Sequence, residues 1–216
     1  MSQRLKYHLG LIAVTTASFG VAVLYGPADG AADRLSIVSA YLCLVLLGCA
    51  LFIGPARAIM TGRPVFNTYV RRDIGIWAAL VGLVHFFLAN ALAMNYAYLD
   101  LYVNLPAEPP SPEFRSQLYG LGTISGYIVA VLFFLLLGLS SDRVLRWIGM
   151  RWWKRLQRAS YLAFVLTVLH SFAFQALESR EGFLVGVVSL VCIVILAVQI
   201  FGIAAVRKRS LTTPPP

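Results

Sequence analysis

IGIWAALVGLVHFFLANALA, residues 74–93, is long and apolar enough to form a complete membrane crossing, yet it carries an imidazole, His85, at its middle. A helix needs about 20 such residues to cross a hydrocarbon core of roughly 30 Å. The rest of the chain supports that reading, with 59% hydrophobic and only 12% charged residues, far outside the range of soluble globular domains. Five further apolar runs have the required length: His8–Tyr25, Leu35–Ile53, Leu118–Leu139, Ser160–Leu177 and Gly182–Val206. The first has basic residues ahead of it but no small-residue cleavage site behind it, and is read as a retained helix. The expected fold is all-α: one integral membrane bundle of six transmembrane helices, a single domain over residues 1–216.

Basic residues set the orientation, because Lys and Arg near helix ends stay on the cytoplasmic side. With both termini cytoplasmic, fifteen of the eighteen fall inside and only Arg34, Arg115 and Arg180 outside. The net charge of +9 is therefore a topological signal, and no nucleic-acid-binding module accompanies it. Cys43, Cys49 and Cys192 lie within apolar runs without metal or disulfide spacing and read as small core residues. The stretch SSDRVLRWIGMRWWKRLQR places Val144, Ile148, Trp152 and Leu156 at four-residue intervals among arginines, the pattern of an amphipathic helix on the anionic inner leaflet or of a docking surface for an acidic donor. The proline-rich connection at residues 98–120 carries Asp100, Glu108 and Glu113, with a tyrosine belt at Tyr96, Tyr98, Tyr102 and Tyr119.

The third and fifth runs are co-directional, so depth can be counted from the basic residue at each inner end. His85 lies 13 residues beyond Arg72, roughly 20 Å of helix rise. His170 lies 12 residues beyond Arg158, about 18 Å. Two imidazoles on separate helices at one level suit the axial positions of a haem iron. Hydrogen bonding between helices and proton traffic are the other uses of such residues. Gly82 and Gly75 lie on approximately the same helical face as His85; they leave room for a porphyrin or serve ordinary small-residue packing. His8, beside Lys6 and Tyr7, reads as interfacial.

RRDIGIWAALVGLVHF (71–86) and RWWKRLQRASYLAFVLTVLHSF (151–172) together resemble the ferric-reductase-like transmembrane domain family. Within it, the pattern is most similar to the haem-binding membrane subunits of bacterial periplasmic methionine sulfoxide reductase systems. The resemblance implies a bis-histidine b-type haem, in a bacterial inner membrane protein, serving as the electron-transfer subunit of an oxidoreductase. The larger family can carry two histidines on each of the two helices; here the inner positions fall in the Arg71 and Arg72 region and at Gln157. One haem, held by His85 and His170, is therefore expected. By analogy with one-haem relatives, FMN or FAD would occupy the inner half or come with a partner, meeting Arg71, Arg72, Gln157 and Arg158; interfacial anchoring is the plainer role for those residues. No dinucleotide-binding turn is encoded. Electrons would then arrive from a cytoplasmic flavin reductase, reduced flavin or quinol and leave to a periplasmic acceptor protein or ferric ion. A non-redox transporter or proton-conducting protein, and a membrane anchor for a partner complex, are the competing classes.

Overall fold

The computed structural model describes residues 3–26, 28, 30–61, 69–96, 103, 111–179 and 182–212. Seven helices follow one another: α1 (Gln3–Tyr25), α2 (Ala31–Thr61), α3 (Tyr69–Tyr96), α4 (Pro112–Leu139), α5 (Asp142–Gln157), α6 (Ala159–Leu177) and α7 (Gly182–Thr212). Six crossings are long and apolar enough to span a membrane, the fifth being α6 with α5 leading into it. The all-helical six-span bundle is thus what the chain forms, and no strand occurs among the described residues. Arg63, Arg180, Tyr98, Asp100, Tyr102, Glu108 and the terminal prolines lie outside those residues.

Helix α2 forms the axis, packed along α3 and α7 and touched by α1 and α6, while α4 pairs with α6 and α3. Leu44 and Leu51 are buried on α2, and Leu47, Ala78, Phe133 and Ala163 knit α2, α3, α4 and α6 into one core. Outward faces are apolar as well: Leu24, Phe134, Leu196 and Ile203 are all exposed. Polar side chains show the reverse preference, with Ser39, Asp73, Thr167 and Gln175 buried. In lipid, polar groups need internal partners; accordingly Thr167 donates to the Ala163 carbonyl at 2.8 Å and Gln175 to the Tyr41 hydroxyl at 2.8 Å. Of the cysteines only Cys43 belongs to this core; Cys49 is exposed and Cys192 half-buried.

The connections follow local chemistry. Ser111 caps α4 by accepting the Phe114 amide, with Pro112 in the first turn, where its missing N–H costs nothing. Ser141 caps α5 in the same way through Val144 N. Helix α5 is broken at Gly149, whose φ of 77° and ψ of 157° are open to glycine and strained for other residues. The break divides the expected apolar stripe. Val144 and Ile148 stay half-buried, whereas beyond Gly149 the inward residues are Trp153, Lys154 and Gln157, and Trp152 and Leu156 turn outward.

The start of α1, the end of α2, the start of α3, the end of α4, helix α5, the start of α6 and the end of α7 meet at one end of the bundle, its basic face. There α1, otherwise almost uncovered, is fastened by a polar joint. Arg4 makes two bonds to the fully buried Asp73, at 2.8 and 3.0 Å. Trp77 donates to His8 Nδ1 at 3.1 Å, which leaves the His8 proton on Nε2, 3.5 Å from the same carboxylate. Because Arg4 is partly exposed, the joint contributes about 1–3 kcal/mol, with screening already discounted. Asp73→Ala should therefore lower the thermal midpoint in detergent and expose the α1–α2 connection to protease. An unchanged midpoint with unchanged cleavage would show that lipid-type packing alone holds α1.

Candidate functional site

His85 sits on α3 and His170 on α6, and the structure brings the two imidazoles together: their ring centroids lie 5.9 Å apart with planes inclined at 76°. Each ring is oriented by a backbone carbonyl on a neighbouring helix. His85 Nδ1 bonds the Ser36 carbonyl of α2 at 2.9 Å, and His170 Nδ1 bonds the Gly122 carbonyl of α4 at 2.8 Å. A carbonyl only accepts, so Nδ1 is the protonated nitrogen in both rings and the lone pair is on Nε2. A carbonyl that holds one ring nitrogen fixes both the tautomer and the direction of the other.

Space around the pair is made by small residues. A Cβ at Gly126 of α4 would come within 2.8 Å of His170 Nδ1, so only the glycine admits the ring at this position without a shift. Gly82, one turn before His85, is filled: a Cβ there would meet Phe133 Cε2 at 2.3 Å and Cys43 Sγ at 2.8 Å. Its role in the structure is close helix packing. Phe174 closes the other side of His170, with ring centroids 4.9 Å apart.

Toward the basic face a cavity of about 730 Å³ opens between all the helices except α1, within the size range of cofactor sites. Arg71, Arg72, Gln157 and Arg158 all line it, as do Gly75, Lys154 and Arg207. Two of its donors, Arg72 Nε and Gln157 Nε2, are buried and have no hydrogen-bond partner. Such orphans cost about 1–3 kcal/mol each and are rare in native proteins without a ligand or water to satisfy them. Arg72 also pairs with Asp142 at 2.5 Å, and the guanidinium holds that exposed carboxyl below the usual carboxylate range. Phe133 and Ala79 form the deep wall, so the ring that fills the space beside Gly82 separates the cavity from the histidine pair. Lys154, Arg207, Phe133, Gly126 and the two orienting carbonyls escaped the sequence reading. A signal existed for one of them, in the glycine spacing of GLGTISG on α4.

The donor set decides what kind of group suits the pair. Two imidazoles that shared one first-row metal, each nitrogen about 2 Å from it, would lie about 6 Å apart, centroid to centroid. The observed separation fits. Among the described residues no three His, Cys, Asp or Glu side chains gather.

Fold and site together define a multi-pass membrane protein with a paired-histidine centre in its bundle. The sequence profile of the ferric reductase like transmembrane component matches residues 36–168, more than half of the chain, and the protein belongs to that family. The match begins within α2, takes in α3, α4 and α5 and runs about halfway along α6; it contains His85 and stops two residues short of His170. No curated protein matches the chain. Membership indicates membrane electron transfer as the general function.

Proposed function

We propose that this chain is the electron-carrying membrane subunit of an oxidoreductase and holds a single b-type haem between His85 and His170. The observation that carries the reading is the 5.9 Å approach of two rings whose Nδ1 atoms are both committed to carbonyls. When bound, the haem supplies a one-electron couple inside the low-dielectric bundle. The chain's own residues do the rest. Ser36 and Gly122 orient the ligands through their carbonyls, Gly126 admits the His170 ring, and Phe133 with Ala79 excludes water between the pair and the basic cavity.

In this reading the basic face is cytoplasmic, with both termini on that side of a bacterial inner membrane. The cavity there receives FMN or FAD, bound directly or delivered by a flavin reductase, with Arg71, Arg72, Gln157 and Arg158 facing its phosphate or ring edge. Reduced flavin or quinol is the source of electrons. A periplasmic acceptor protein, as in methionine sulfoxide repair, or ferric ion is their destination.

The test is an absorption spectrum of protein purified from cells supplied with haem precursor. A Soret band and, after dithionite, separate α and β bands support the assignment; a colourless protein that moves protons or solutes in liposomes would favour the transporter class. Gly126→Val gives a finer check. Its side chain displaces the His170 ring, so haem content should fall about ten- to a hundredfold, as for other losses of ligand orientation. Full haem with an unaltered low-spin spectrum would mean that His170 does not need this seat.

A further inference from the structure

Helix α5 answers to two surroundings. Toward the bundle, Trp153, Lys154 and Gln157 wall the basic cavity, and Trp153 is pinned by its bond to the Leu139 carbonyl at 2.7 Å. Away from it, Trp147 is 85% and Trp152 60% exposed. Arg143, Arg146, Arg151 and Arg155 are exposed on the same helix, and Arg155 stacks over Trp152 at 5.0 Å. The one acidic residue of α5, Asp142, is already engaged by Arg72, so the charge offered outward is uniformly positive.

Tryptophans interleaved with arginines, on a helix running between the ends of two spans, match the depth and sign of an anionic headgroup layer. An acidic soluble protein would satisfy the arginines but would leave the indoles without the apolar boundary they suit. The break at Gly149 gives this surface a second consequence. It separates the half fixed by Ser141 and Asp142 from the half that covers the cavity.

We propose that anionic phospholipid docks on the outer face of α5 and holds residues 150–157 closed over the basic cavity, making entry to that cavity depend on the lipid charge of the leaflet. This stands whether or not the bundle carries haem, because it concerns α5 and the cavity mouth alone.

The experiment compares amide hydrogen exchange of the full chain in nanodiscs of phosphatidylcholine and of phosphatidylcholine mixed with phosphatidylglycerol. Phosphatidylglycerol should slow exchange across 150–157 by about tenfold while leaving α2 unchanged, since only local opening is affected. Substituting Arg143→Gln, Arg146→Gln, Arg151→Gln and Arg155→Gln together should abolish that difference. Brominated acyl chains should quench Trp147 and Trp152, each read as the emission lost in its own Trp147→Phe or Trp152→Phe variant, because Trp77 and Trp153 also emit. Equal exchange in the two membranes overturns the proposal. So does a pair of unquenched tryptophans, which would place the face in water and give it to a soluble partner.

Discussion

His85→Ala and His170→Ala should each abolish the Soret band and the reduced α and β bands of the purified protein, with loss of bound haem on the order of a hundredfold or more. Disturbing an outer-shell partner of a metal ligand already costs 10–100-fold, and here the ligand itself goes. His85 Nδ1 is held by the Ser36 carbonyl with the Ser36 hydroxyl beside it, and His170 Nδ1 by the Gly122 carbonyl; the spans are joined mainly by their apolar faces, so the bundle should still assemble. Circular dichroism and the monomer peak in size exclusion check that the variant is folded. The pair also predicts a symmetry: since the centre needs one nitrogen from each side, the two single variants and the double variant should look alike. A spectrum that survives in one single variant would move the axial position elsewhere and take the proposed centre with it.

The closeness of the two rings is legible in the sequence, because helix rise converts sequence distance into depth. Counting 13 residues from Arg72 and 12 from Arg158 puts two rings at one level, and they meet at 5.9 Å. The spans were equally legible, since a run such as 74–93 has few other ways to satisfy its backbone in lipid. What counting along one helix misses is whatever depends on a neighbour. The Ser36 and Gly122 carbonyls are backbone groups of every residue, and only the packing of α2 on α3 and of α4 on α6 makes these two the partners of histidines. Asp73 follows two arginines and looks like one more interfacial charge, yet it is fully buried beneath Arg4 and His8. The stripe on α5 assumed unbroken helix, and Gly149 rotates its second half away from that pattern. Of the two uses open to Gly82, close packing is the one seen, against Phe133 and Cys43, while a larger space lies nearer the basic face, where six helices leave it between them.

The cavity and its two orphaned donors lead to the second large effect. If a phosphate-bearing flavin binds there, Arg72 Nε and Gln157 Nε2 are the groups that gain most, because their dehydration has already occurred on folding. A hydrogen bond to a charged group is worth about 1.5–3 kcal/mol, so Arg72→Met should weaken FMN binding by roughly 10- to 150-fold, and Gln157→Leu by somewhat less, given its neutral donor. Arg72 also holds Asp142, and that pair must be separated from the cavity effect. Asp142 is exposed, so solvent screens its pair with Arg72; Asp142→Asn therefore serves as the control and should change FMN affinity less than about fivefold. Fluorescence quenching of FMN titrated with detergent-solubilised protein reads all three variants on one scale. Should Arg72→Met and Asp142→Asn weaken binding equally, the guanidinium acts through α5 and not on the ligand. Should Arg72→Met and Gln157→Leu leave FMN binding unchanged, the buried donors serve some other acceptor, and the flavin loses its place in this cavity while the histidine pair keeps its own.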